Sequence, residues 1–220
     1  MVSLAQYDCY TPEYYEQRES SPTFRAEQNA LLRWLSVRQG DTVLEMGCGN
    51  GSLLTRLEGT GATVVGLDVS RSALEVARSR LKRAAVALGD ATNLPFAAET
   101  FSGVAAQHLI EHFSPDAEVL REWYRVLRVG GRLVVATPNA GFPYPDWFDD
   151  PTHQIVYDRH TLRRELERVG FGVERIQYVN PYVGLPRGIF FAARHLQICT
   201  RIPNLGRRSL TLLAVATRPS

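Results

Sequence analysis

Apolar and polar positions alternate along the chain in two rhythms, and the switches between them mark the elements. Between Phe24 and Leu35 the apolar residues Phe24, Leu31, Trp34 and Leu35 share roughly one helical face, and Gly40-Asp41 closes the segment. "TVLEM", residues 42–46, is a short β-rich run that ends in the glycine cluster "GCGNG", after which Leu53, Leu54 and Leu57 open a helix. The unit repeats. "TVVGLDV" predicts a strand, Ala73 to Leu81 a helix with Leu74, Ala77 and Leu81 on one side, and "AVALGD" a third strand. "FSGVAAQ" predicts a fourth strand, and Ser114-Pro115 are expected to cap and start a helix with Val119, Leu120, Trp123, Val126 and Leu127 as its buried stripe. Gly130-Gly131 are expected to end that helix before the strand "RLVVATP". Alternating strands and helices joined by short glycine turns predict an α/β, doubly wound, largely parallel sheet.

The last third changes character. "NAGFPYPDWFDDPTHQIVY", residues 139–157, has too little periodicity for an element and predicts a long loop, a kind of segment that is usually functional in compact domains. Asp158 is expected to cap a helix to about Arg168, with "GVERIQYV" and "SLTLLAVATR" as strands and a helix over Ile189 to Ile198 between them. A chain of 220 residues suits one domain: an N-terminal helical cap over 1–38, a ligand-binding core over 39–137, and a loop with C-terminal strands over 138–220.

Composition narrows the class. "GIFFAA" and "LTLLAVA" are far shorter than the ~20 residues of a membrane span, nothing resembles a signal peptide, and the protein reads as cytoplasmic. Cys9, Cys48 and Cys199 show no paired spacing, which argues against a disulfide framework or a zinc ribbon. The net charge of +2 is uneven: Arg175, Arg187, Arg194, Arg201, Arg207, Arg208 and Arg218 follow the last acid, Glu174. Such a tail either attracts an anionic partner, nucleic acid included, or is a solvated face.

In an open α/β sheet, ligands bind beyond the carboxyl ends of the strands, where a glycine loop lets backbone N–H groups approach them. "LEMGCGNG" sits at such a point. A dinucleotide fingerprint needs its third glycine at position 52; Ser52 is there instead, and the glycines are Gly47, Gly49 and Gly51. An acid able to take both hydroxyls of a ribose is expected roughly 20 residues on, and Asp68 stands there.

The ordered set "VLEMGCGNG", "VVGLDVS", "GDATNLPF" and "LRVGGRLVVATPN" resembles the class I S-adenosylmethionine-dependent methyltransferases, from about Ala30 to Arg218. The resemblance implies a Rossmann-like seven-stranded sheet, mostly parallel with one antiparallel strand and with helices on both faces. It also implies S-adenosylmethionine as cofactor. Glu45, Gly47, Cys48, Gly49 and Gly51 would surround the methionine part, Asp68 with Val69 would hold the ribose, Asp90 with Ala91 would meet the adenine, and Gln107 would face the sulfonium. The family pattern places an N-terminal segment over the cofactor, so Tyr14 and Arg18 in "YDCYTPEYYEQRESS" would close the pocket and pair with the methionine carboxylate. The same tyrosines also suit simple packing on the domain.

"QHLIEHF" contains His-x-x-Glu-His, with His108, Glu111 and His112 following the fourth strand. In a zinc peptidase that motif rides a long helix, whereas here Ser114-Pro115 begins a new element at once, so the segment is a short turn. The turn resembles that of ubiquinone-pathway catechol O-methyltransferases and of small-RNA 2′-O-methyltransferases, which bind a divalent metal there. By that resemblance His108, Glu111, His112 and His153 form a set of four ligands, and their softness favours zinc, iron, manganese or cobalt over magnesium. The other readings are that His112 or His108 is a general base without metal, with Glu111 beside it, or that the histidine only holds the loop. Phe142, Tyr144, Trp147, Phe148 and Tyr157 either stack on a flat acceptor or anchor their own loop, and "GIFFAARHLQI" either covers the acceptor, touches a membrane surface or packs on the sheet. The expected reaction is methylation of a hydroxyl on a small molecule, a sugar, nucleoside or phenolic diol. The alternatives are metal-independent O-, N- or C-methylation with a histidine base, RNA 2′-O-methylation using the basic tail, and a non-catalytic cofactor-binding domain in a larger assembly.

Overall fold

The computed structural model describes residues 11–114, 118–141, 150–181 and 209–220. Two helices come first: α1 (Pro12–Ser20), capped by the Thr11 hydroxyl, and α2 (Pro22–Leu35). Each has proline at its start, where a missing N–H costs nothing. β1 (Thr42–Met46) then leads through the glycine loop into α3 (Ser52–Leu57). β2 (Thr63–Asp68), α4 (Arg71–Arg80) with Ser70 as its cap, and β3 (Ala85–Leu88) follow. β4 (Phe101–Gln107) runs into a single helical turn, Ile110–His112. After it come α5 (Val119–Val126), β5 (Leu127–Pro138), α6 (Arg159–Val169), β6 (Gly172–Pro181) and β7 (Ser209–Thr217).

The strands form one seven-stranded sheet in the order β3-β2-β1-β4-β5-β7-β6. β1 pairs in parallel with β2 and β4, β2 with β3, and β4 with β5, while β7 is antiparallel to both β5 and β6. The order reverses between β1 and β4, so the carboxyl ends of these two strands flank the crevice where such sheets take ligands. Alternation along each strand feeds two cores. Leu44, Met46, Val104, Leu133 and Leu212 pack toward Trp123 of α5 and Leu162 and Leu166 of α6, and Val43, Ala105, Val134 and Leu213 pack toward Leu31 of α2, Leu53 and Leu54 of α3 and Leu74 of α4. Helices therefore cover both faces, as expected. Gly66 in β2 is what lets α3 pack so close: a Cβ there would lie 2.5 Å from Leu54 Cδ1 and 2.8 Å from Cys48 Sγ.

Two boundaries differ from the sequence expectation. The helix expected from Ser114-Pro115 begins at Val119 with Glu118 at its N-cap, because the Glu118 carbonyl accepts the Arg121 and Glu122 N–H groups and closes the first turn there. Gly130-Gly131 do not end that helix. It stops at Val126, Leu127 turns extended, and the glycines lie inside β5, bonded to Arg218 beside β7. The helix expected over Ile189 to Ile198 lies outside the described residues, as do Cys9, Cys199, Pro115 and the aromatic residues Phe142, Tyr144, Trp147 and Phe148. Tyr157 is described, and it is buried in the same apolar core as Trp123 of α5 and Leu162 of α6, and is not among the residues that line the cavity below. Of the seven arginines after Glu174, the two described are engaged by the fold: Arg175 lies over the Trp34 ring, and Arg218 donates to the carbonyls of Tyr124, Arg125 and Leu127 and to Glu99. Among the described residues, no helix is long and apolar enough to cross a membrane.

Candidate active site

A cavity of about 630 Å³ opens at the carboxyl ends of β3, β2, β1 and β4, under α1. Its first wall is made by local chain geometry. Gly47, Gly49 and Gly51 all take positive φ, 64°, 50° and 79°, so the loop curls tightly and leads into the N-terminus of α3. Asp68, ending β2, steadies this loop: its Oδ2 accepts the Gly49 N–H and its Oδ1 the Ser70 N–H, both at 2.8 Å. Burial pushes the Asp68 carboxyl up, against these two N–H groups. Glu45, near the end of β1, is 3% exposed, and its Oε2 has no hydrogen-bond partner. Burial, with Asp68 nearby, pushes its carboxyl well above the usual range. Cys48 is buried with its thiol pushed up for the same reason, and Val69, Asp90 and the buried Ala91 complete this side.

α1 roofs the cavity. Tyr14, Tyr15, Arg18 and Glu19 all line it. The Arg18 guanidinium donates to the Tyr14 hydroxyl at 2.7 Å and lies over the Tyr14 and Phe24 rings. Tyr15 packs on the glycine loop so closely that a Cβ at Gly49 would be 2.7 Å from its Cε1. Glu19 ties α1 down, taking both Arg80 nitrogens, at 2.6 and 2.7 Å, and the Asn50 side-chain amide at 2.7 Å.

The opposite wall is built from distant pieces of chain. His108 leaves β4 with φ +53°, a strained backbone for a residue with a Cβ, and its ring lies between two buried carboxylates. Nε2 is 3.1 Å from Glu27 of α2, and Nδ1 is 3.4 Å from Glu111 Oε1. Burial works against the imidazolium, but the two acids outweigh it and push His108 up to about 9. The same pairing holds Glu27 and Glu111 below the usual carboxylate range despite their burial. Glu111 Oε2 also accepts the Thr137 hydroxyl. The 150–155 loop folds onto this turn: Gln154 and Ile155 donate to the Glu111 carbonyl, and His112 Nδ1 meets the Thr152 carbonyl at 3.1 Å. The His153 and His112 rings lie 4.9 Å apart, and Asp150 sits 3.6 Å from His153 Nε2. Ligand atoms of Glu111, His112 and His153 all fall within 4.8 Å of one another.

Residues 44–135 match the family described as a methyltransferase domain. The sheet order, the glycine loop and the acid ending β2 fit that match. This chain carries a class I S-adenosylmethionine-dependent methyltransferase domain. Among curated relatives, Methyltransferase GfsG of Streptomyces halstedii is 43% identical over 113 residues, covering 48% of this chain and 41% of the relative. The O-methyltransferase cnsE of Penicillium expansum is 33% identical over 144 residues, covering 60% and 52%. Demethylmenaquinone methyltransferases and a ubiquinone/menaquinone C-methyltransferase are also relatives. The chain thus spans between about two fifths and three fifths of the length of the curated relatives it matches. Among solved structures, a methyltransferase of Haloferax volcanii in complex with the Trm112 methyltransferase activator superposes with a TM-score of 0.77 at 20% identity, over 98% of this chain and 97% of that one.

Of the residues singled out from this methyltransferase's sequence, all the cofactor-side ones except Gly51 line the one cavity, together with His108, Glu111, His112 and His153. Gly51 stands just behind, against Ala77 of α4. His108 stays beside Glu111, its Nδ1 3.4 Å from Oε1, but does not join the group of candidate ligand atoms. An imidazolium between two acids has no lone pair for a proton or a metal, and the three residues that come together are Glu111, His112 and His153. Tyr15, Glu27, Asp150 and Thr211 line the same cavity but are not among the residues singled out from the sequence. The available signal for Glu27 was its place beside Gln28 on the Phe24–Leu31 face of α2, where an acid is out of character. Asp150 and Thr211 carry no such local mark.

Proposed function

We propose that this methyltransferase moves the methyl group of S-adenosylmethionine to a hydroxyl of a small molecule, a sugar, nucleoside or phenolic diol. The carrying observation is that His112, its Nδ1 tied to the Thr152 carbonyl, stands on the same cavity wall that faces the glycine loop. With the proton on Nδ1, Nε2 is the basic nitrogen of the neutral ring. The residues present fit the cofactor. Glu45 Oε2, buried without a partner, suits an ammonium, Asp68 suits a ribose diol, Asp90 and Ala91 suit the adenine, and Gly47, Cys48 and Gly49 suit the methionine chain. Arg18, with Tyr14, suits the methionine carboxylate. When bound, S-adenosylmethionine supplies the activated methyl group. The chain's part is to align the acceptor and take its proton. His112 Nε2 would accept the proton of the acceptor hydroxyl as that oxygen takes the methyl group the cofactor would supply, the sulfur keeping the electron pair of the broken bond.

Methyl-labelled S-adenosylmethionine offered with catechols, nucleosides and sugars tests this reading. Label on an acceptor oxygen supports it, and label only on carbon or nitrogen overturns it, a live distinction given the C-methyltransferase among the relatives.

A second reading adds a divalent ion, zinc, iron, manganese or cobalt, favoured by the close grouping of Glu111, His112 and His153. Two imidazoles and a carboxylate suit such an ion, and the Thr152 carbonyl on His112 Nδ1 is the outer contact that metal-bound histidines commonly make. An ion there would lower the pKa of a bound hydroxyl. Metal content of the purified protein and turnover after chelation decide between the two. Full activity in chelated, metal-free protein overturns the metal reading.

A further inference from the structure

Gln107 ends β4, and its Nε2 donates to Glu27 Oε2 at 3.1 Å. Glu27, 3% exposed, accepts from His108 Nε2 as well, at 3.1 Å, and from Thr211. A carboxylate can only accept, so the Gln107 amide must turn its NH₂ end toward Glu27. Its carbonyl oxygen is thereby turned away, no described residue donates to it, and Gln107 lines the cavity.

The strand order reads across the ligand. Asp90 stands beyond β3, Asp68 ends β2, Glu45 and Gly47 stand at the end of β1, and Gln107 ends β4, with β3, β2, β1 and β4 adjacent in that order. A ligand laid with adenine at Asp90, ribose at Asp68 and methionine along the glycine loop brings its sulfonium methyl toward β4.

We propose that Glu27 is a positioning residue that locks the Gln107 amide with its carbonyl oxygen toward the sulfonium methyl, so that the site favours S-adenosylmethionine over S-adenosylhomocysteine. This rests on the cofactor reading above. The methyl hydrogens beside a sulfonium carry positive charge and meet a carbonyl oxygen favourably, as C–H···O contacts do. S-adenosylhomocysteine has neither the methyl nor the charge. A fixed oxygen therefore helps the substrate form bind and the product leave, whereas a flipped amide would present NH₂ to the cation and reverse the preference.

Calorimetric Kd values for both ligands, in the wild type, Gln107→Leu, Glu27→Gln and the double variant, test the proposal without any acceptor. The expected result is a preference for S-adenosylmethionine that falls about three- to fivefold in Gln107→Leu, the scale of one such contact. Glu27→Gln, whose amide can also donate and so permits the flip, falls by at least as much. In the double variant the Glu27 change has no further effect. If the Glu27 effect persists in full on the Gln107→Leu background, Glu27 acts by its own charge and the proposal is overturned. If Glu27→Gln does not fold, an unchanged preference in Gln107→Leu alone overturns it. A wild type that binds neither ligand overturns the cofactor reading and this proposal together, whereas binding of both with an invariant ratio overturns this proposal alone.

Discussion

The two walls of the cavity are built by different means. On the glycine-loop side, Gly47 to Ser52, Asp68 and Asp90 are placed by short turns at the ends of adjacent strands, and backbone N–H groups do much of the bonding. On the opposite side, Glu27, His108 with Glu111, Thr137 and Thr152 come from four separate places in the chain and meet through buried charge and polar groups. A wall of backbone turns tolerates many side chains and is fixed by glycine. A wall of paired charges depends on every member, because removing one strands the others away from water.

The first consequence is the largest. His108→Gln removes the cation between Glu27 and Glu111 and is expected to destabilise the fold by about 3–5 kcal/mol, the scale for breaking a buried pair. Denaturant unfolding across a pH series checks it and adds a sign. Because His108 is pushed up to about 9 from its usual 6.5, its contribution is complete below pH 6.5 and is lost as pH rises through about 9. The wild type should lose stability over that window, and the variant should not. A flat wild-type profile would mean that the imidazolium is not the link between Glu27 and Glu111.

The next test separates the walls by function. His112→Ala is expected to lower turnover about a thousandfold, the loss of a general base, while calorimetric affinity for S-adenosylhomocysteine stays within about twofold of the wild type, since its partner Thr152 belongs to the opposite side. Asp68→Ala should show the reverse, with that affinity falling roughly 10- to 100-fold as charge-assisted hydrogen bonds to the ribose are lost. If the two variants changed both quantities alike, the division into walls would fail.

The smallest expected effect probes the glycine side away from the ligand. Gly66→Ala puts a methyl group 2.5 Å from Leu54 and 2.8 Å from Cys48. It should lower unfolding free energy by about 1–3 kcal/mol through overpacking, read by the shift of the denaturant midpoint. A neutral result would show that α3 can slide away from β2 without cost.

The same contrast explains how much could be read in advance. β1 and β4 lie where the short β-rich runs placed them, and the glycine loop follows its glycines, because these features are encoded within a few residues of each other. The boundaries of α5 and β5 escaped because Ser114-Pro115 is a generic start signal and Gly130-Gly131 a generic stop signal. The carbonyl of Glu118 and the pairing with Arg218 decided the matter through contacts that local composition does not show. Tyr157 reads as part of an aromatic loop, yet packing buries it in the apolar core on one face of the sheet.

By itself the sequence determined the α/β alternation, the glycine loop and the acid at the end of β2, since spacing along one chain is enough to specify a turn and its neighbour. Only the tertiary structure decided that Tyr15 packs on Gly49, that Glu27 from α2 faces Gln107 and His108, and that Glu111, His112 and His153 come together. Those choices depend on which charges share a dry space, and the sheet and its helices must be assembled before that space exists.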